Sequence, residues 1–180
     1  MTANRKSQIL AALGALLLAA CGKSSMSSQG GPAPAPAARL ALTTTDGAGT
    51  STTFTATDAN AQVSAYRSTA ENQTVIQVCG DVGADGDCAR IVILTIGGTT
   101  AQRYPLNTAD TVTQLVYHAD APEAGVVNHY LSSAGTVDVT LIGAAAGEAV
   151  KGTFSATLTC NGGCAGDVTV TGSFDVPLGG

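Results

Sequence analysis

The sequence predicts an all-β fold: a single antiparallel β-sandwich domain that follows a signal peptide and a flexible linker. Three observations predict it. Thr (24), Gly (22) and Ala (31) dominate the 180 residues while charged residues are 12%, about half the usual share. From Arg39 onward no helical period appears, and short stretches alternate apolar and polar residues, the period of a half-buried strand. Turn clusters, among them Gly97-Gly98, 120–125, Ala134-Gly135 and 143–147, punctuate those stretches at the spacing of a sandwich or barrel. A closed barrel needs matched strand number and stagger, so the open sandwich is the simpler expectation. About 140 residues suffice for one domain.

The N-terminal elements come first in order. Arg5 and Lys6 precede an uncharged Leu/Ala-rich stretch over 9–20. Twelve residues are too few for a membrane span, which needs about 20, and fit the apolar core of a secretory leader. The stretch ends Leu18-Ala19-Ala20-Cys21-Gly22. Small residues before a cysteine resemble the lipobox of bacterial lipoproteins. The resemblance implies cleavage between Ala20 and Cys21, a diacylglyceryl group on the Cys21 thiol and acylation of the new amine. Several acyl chains on one residue hold firmly where one chain anchors only marginally. Gly22 stands where an Asp would imply inner-membrane retention, so the resemblance points to the outer membrane of the bacterial envelope. Residues 22–38 read as a tether, first Ser/Gly-rich and then Pro/Ala-rich through Pro32, Pro34 and Pro36. The organisation expected is a leader over 1–20, an acylated cysteine with linker over 21–38 and a β domain over 39–180.

Within the domain, strands are expected near 50–57, 61–68, 73–79, 88–96, 101–106, 112–119, 126–132, 136–142, 148–160 and 166–178. Four cysteines remain after Cys21, in two close pairs, Cys79/Cys88 and Cys160/Cys164. An exported chain meets an oxidising compartment, and each pair brackets a turn-rich segment, so both local disulfides are expected. If Cys160 stands opposite Cys164, then Ala156 meets Val168, Phe154 meets Val170, Gly152 meets Gly172 and Val150 meets Phe174, with the apolar set on one face. If Cys79 stands opposite Cys88, then Val78 meets Ala89, Ile76 meets Ile91 and Val75 meets Val92, and both strands carry apolar residues on both faces. The run GTVDVT over 135–140, KGTFSATL over 151–158 and the strand over 168–176 resemble the C-terminal pattern of small bacterial lipoproteins of uncharacterised function. That resemblance implies a β-sandwich at the cell surface or in the periplasm and carries no catalytic residue over.

Function classes divide on charge and motif. The chain has 8 basic and 13 acidic residues, and loss of Arg5 and Lys6 with a leader leaves 6 against 13. No basic cluster remains, which argues against a nucleic-acid partner and against attraction to anionic lipid. There is no Gly-x-Ser-x-Gly, His-Glu-x-x-His or phosphate-binding Gly loop. Two constellations stand out. Asp81, Asp85 and Asp87 lie inside the Cys79/Cys88 loop, without the spacing of a calcium loop, and Asp and Gly suit a solvated turn for backbone reasons alone. The only two histidines, His118 and His129, flank a loop containing Asp120 and Glu123. If Val116 pairs with Leu131, then Tyr117 meets Tyr130 and His118 meets His129. Two imidazoles can hold a metal, and cross-strand ring pairing explains the same residues. The expectation is a non-enzymatic module without cofactor or metal, anchored to the bilayer through acylated Cys21 and binding a protein or glycan. The alternatives are a structural or accessory envelope lipoprotein and, more remotely, a metal-dependent enzyme.

Overall fold

The computed structural model describes residues 38–82, 88–107, 112–121, 126–162, 164 and 166–179. The leader, Cys21 and the tether up to residue 37, together with Asp85, Asp87 and Glu123, lie outside the described residues. Ten strands follow in chain order: β1 (Ala38–Thr45), β2 (Ser51–Thr57), β3 (Ala61–Ser68), β4 (Gln73–Val82), β5 (Cys88–Ile96), β6 (Arg103–Pro105), β7 (Gln114–Ala121), β8 (Val126–Ile142), β9 (Ala149–Cys160) and β10 (Val168–Pro177). All ladders between them are antiparallel. The expected all-β antiparallel domain is therefore present, built as one sheet of order β2-β1-β10-β9-β8-β7-β5-β4-β3, with β6 beside β8.

That sheet rolls around one core until it nearly closes. Its end strands β2 and β3 are consecutive in the chain, joined by 58–60. The Asn60 side-chain oxygen accepts the Thr57 N–H at 2.7 Å and holds the turn. Beyond β10 the chain reaches β3, where the Gly179 N–H donates to the Ala65 carbonyl at 2.7 Å. Leu40, Leu42, Ile76, Val78, Val92, Leu94, Ile96, Leu115, Val137, Val150, Leu158 and Val176 fill the interior, each fully buried. The three polar residues buried as a whole, Thr74, Thr113 and Ser132, are satisfied, as the cost of an unpaired interior group requires, whereas the buried Arg67 Nε has no hydrogen-bond partner among the described residues. Thr74 donates to the Gly98 carbonyl at 2.9 Å, Thr113 accepts the Gly97 N–H at 2.9 Å and Ser132 accepts the Leu115 N–H at 3.1 Å.

Two strand assignments are corrected. β1 was not expected, because the Pro/Ala-rich tether runs directly into Arg39-Leu40-Ala41-Leu42. Leu40 and Leu42 alternate inward, and the strand pairs both β10 and β2, so burial from two neighbours sets it. The strands expected at 126–132 and 136–142 are one strand, β8, because Gly135 does not end it. Gly135 adopts φ 134°, and register shifts at Ser132/Ala134 and Val139/Leu141 bend the strand. Such bulges let one long strand turn a corner of a rolled sheet: its first half pairs β7, its second half pairs β6, and its other edge follows β9.

Two registers are corrected as well. In the C-terminal hairpin Val170 pairs Ala156, Gly172 pairs Phe154, Phe174 pairs Gly152 and Val176 pairs Val150. The offset from the expected register is two residues, because the connection from β9 to β10 is longer than the segment between the cysteines. An even offset keeps the same face inward, and Phe154 and Phe174 are both buried as expected. Each ring now lies over the glycine directly opposite: a Cβ at Gly152 would strike Phe174, and one at Gly172 would strike Phe154. Between β4 and β5, Ile76 pairs Leu94, Val78 pairs Val92 and Cys79 pairs Ile91. This offset is three, and an odd offset exchanges faces. It brings Val92, Leu94 and Ile96 into the core and turns Ile91 and Ile93 outward, which buries the larger apolar set.

Candidate functional site

Of the residues singled out for chemistry, His118 and His129 meet on the outer face of β7 and β8, in one row with Cys79 of β4. Alternation decides which side each occupies. On β7 Leu115 and Tyr117 are buried in the core, so Val116 and His118 point outward. On β8 Tyr130 packs against the core, so His129 and Leu131 point outward. The ladder pairs Val116 with Leu131, Tyr117 with Tyr130 and His118 with His129, the register the sequence predicts. On the core side the tyrosine rings stack at 6.0 Å between centroids. On the outer side the imidazole rings stack at 4.4 Å with 14° between their planes.

The backbone explains the close approach of the imidazoles. His129 donates its N–H to the Gly162 carbonyl at 3.1 Å and accepts the Asn161 N–H at 2.7 Å. Both its backbone groups thus point to the side away from β7. His118 and His129 therefore form a non-hydrogen-bonded pair, the kind in which opposed Cα atoms come within about 4.5 Å and side chains lie closest.

One row across the sheet holds this pair between the two disulfides. Cys79 pairs Ile91, Ile91 pairs His118 and His118 pairs His129. At one end Cys79 is bonded to Cys88, with Cα atoms 5.2 Å apart although the two are not register partners. The chain leaves the flat ladder there at Asp81, which has φ 52° and an ion pair with Arg90 at 2.7 Å. At the other end Cys160 is bonded to Cys164, with Cα atoms 5.7 Å apart, and the segment they close supplies the Gly162 carbonyl to His129. Both expected disulfides are thus present. The adjoining outer row, Ile93, Val116 and Leu131, is half-buried and aliphatic. Sequence reasoning missed that row and the link between the cysteines and the histidines, since both depend on the β4–β5 register.

Of the acidic constellation only Asp81 is among the described residues, where it is engaged by Arg90; among the described residues no group of three or more His, Cys, Asp or Glu side chains gathers in a metal-holding arrangement. Asp120 pairs Val127 in the ladder. Burial raises the Tyr117 phenol above its ordinary range, and burial raises that of Tyr130 as well.

A second surface feature lies on the outer face of β1, β10, β9 and β8. A shallow depression of about 260 Å³ forms there beside the small side chain of Ala41, with Arg39, Lys151 and Asp175 among the residues that line it. Its charges are already paired. Lys151 meets Asp175 at 2.8 Å, and Arg39 meets Asp58 through two hydrogen bonds of 2.7 Å. Those bonds hold the Arg39 guanidinium above, and the Asp58 carboxyl below, its ordinary range. No protein-family model, curated protein or solved structure matches this chain.

Proposed function

We propose that this chain is a lipid-anchored protein of the bacterial envelope, held in the outer membrane by acylated Cys21, whose β domain serves as a non-enzymatic binding module for a protein or glycan. The observation that carries this reading is the cysteine arrangement. Four of the five cysteines form two local disulfides, which persist in exported proteins and are rare in reducing compartments. That leaves Cys21 alone, directly after Leu18-Ala19-Ala20 and an apolar leader-like stretch. Export and a lone cysteine at such a junction are the two requirements of a lipoprotein anchor. A stapled sheet with short connections is a rigid platform, and rigid platforms present recognition groups at low entropic cost. Metabolic labelling with an alkyne fatty acid tests the anchor. Wild-type protein takes up label and fractionates with the outer membrane, while Cys21→Ala takes up none and keeps its leader. Equal label on both proteins overturns the reading.

A further inference from the structure

We propose that His118 and His129 form a binding site for a divalent transition-metal ion of the imidazole-preferring class, on the outer face of the sheet. The proposal stands on the pair itself and is independent of the lipid anchor. An ion that binds two imidazole nitrogens at 2.0–2.1 Å holds them no more than about 4 Å apart. The two ring centroids are 4.4 Å apart with 14° between their planes, so the nitrogen lone pairs, which lie in the ring planes, run nearly parallel in the stack. Turning the rings out of it about their side-chain bonds lets one nitrogen from each converge on a shared ion without moving the backbone. The backbone is set in advance. The pair is non-hydrogen-bonded, and His129 is fixed on its other edge by Gly162 and Asn161 in the segment around the Cys160–Cys164 disulfide. What remains to be met on binding is side-chain rotation and exchange of the contact His118 already makes, not the closing of a loop.

Burial fits the same use. Both imidazoles are partly exposed on a sheet face rather than sealed in the core. Ile91 lies beside His118 and the row of Ile93, Val116 and Leu131 runs alongside, so the ligands have aliphatic flanks. Neutral imidazole selects zinc, copper or nickel over magnesium and calcium, which seek oxygen. Two protein ligands leave coordination positions open to water or to a donor from another molecule, the arrangement of an accessible site rather than a sealed structural one.

Zinc is the probe. The full chain, with Cys21→Ala in every sample so that its thiol does not compete, is titrated with Zn²⁺ by calorimetry, and the histidine ring resonances are followed by NMR. The expected result is one zinc per chain, with both rings shifting together and no response to Mg²⁺ or Ca²⁺. His118→Gln and His129→Gln each weaken binding at least tenfold, because a chelate is lost with its first ligand, and the double variant, which keeps neither imidazole, binds no more tightly than either single one. Backbone amide spectra of the variants report that the fold is kept. Absence of binding overturns the proposal. So does unchanged affinity in the single variants, or an effect confined to one of them, which would mean a single imidazole holding the ion.

Discussion

The near closure of the sheet depends on Phe54, and a double-mutant cycle tests that dependence. Phe54 sits on β2, at one end of the strand order, and is 4% exposed. Its ring lies against Gly80 of β4, close to the other end, so that a Cβ at Gly80 would overlap the ring tip. The register partner of Gly80 is Arg90, whose guanidinium carbon stands 5.2 Å from the ring centroid. The ring tip thus meets a backbone and the ring lies under a cation, across the seam between the ends of the sheet. Phe54→Ala removes a buried ring, at about 3–5 kcal/mol, and the cation–π contact, at about 0.5–1 kcal/mol. Set against a domain total of about 5–15 kcal/mol, that is a large fraction. At about 2–4 °C per kcal/mol for a domain of this size, Tm falls by roughly 7–24 °C. Gly80→Ala forces the ring aside and costs about 1–3 kcal/mol by overpacking. In the Phe54→Ala background the same substitution meets no ring and costs close to nothing. Chemical denaturation of the four proteins under oxidising conditions then reads a coupling of about 1–3 kcal/mol. Additivity within about 0.5 kcal/mol would show that the ring and the glycine do not touch, and that the seam is held elsewhere.

Two further outcomes follow from the same core. Phe154→Ala costs about 3–5 kcal/mol, because a buried ring over Gly172 is lost, while Ser155→Ala, on the exposed face of the same strand, costs about 0.5 kcal/mol or less. Thermal melts that reverse this order would mean that the faces of β9 are inverted. Burial raises the Tyr117 phenol, so the folded state holds that proton more tightly than the unfolded one. Its stabilising effect is complete below the unfolded phenol range and is lost as pH rises through the raised folded value. Melts across the alkaline range should show that loss, Tyr117→Phe should reduce it, and an unchanged alkaline profile in the variant would refute the assignment.

The sequence alone determined the elements whose cause is local. Alternation in β9 and β10 placed Phe154 and Phe174 inward, and the face survived a register error because a two-residue offset preserves parity. The pairing of His118 with His129 was legible because one short connection joins two strands with apolar and ring residues in matching phase. The two disulfides were legible from cysteines 9 and 4 residues apart around turn-forming segments. What only the tertiary structure decided is whatever depends on a distant neighbour. β1 carries little local signal after a Pro/Ala-rich tether, and it becomes a strand because β10 and β2 bury Leu40 and Leu42 from both sides. The β4–β5 register was misread by an odd step because both strands are apolar on both faces, so local alternation could not tell which set belonged in the core. That register places Cys79, Ile91, His118 and His129 in one row. Gly135 ends a strand by its composition and continues one in fact, because β6, β7 and β9 supply the hydrogen bonds that carry β8 through its bulges. The meeting of Phe54 with Gly80 belongs to the same class: they lie on different strands near opposite ends of the sheet order, and only the rolling of the sheet brings them together.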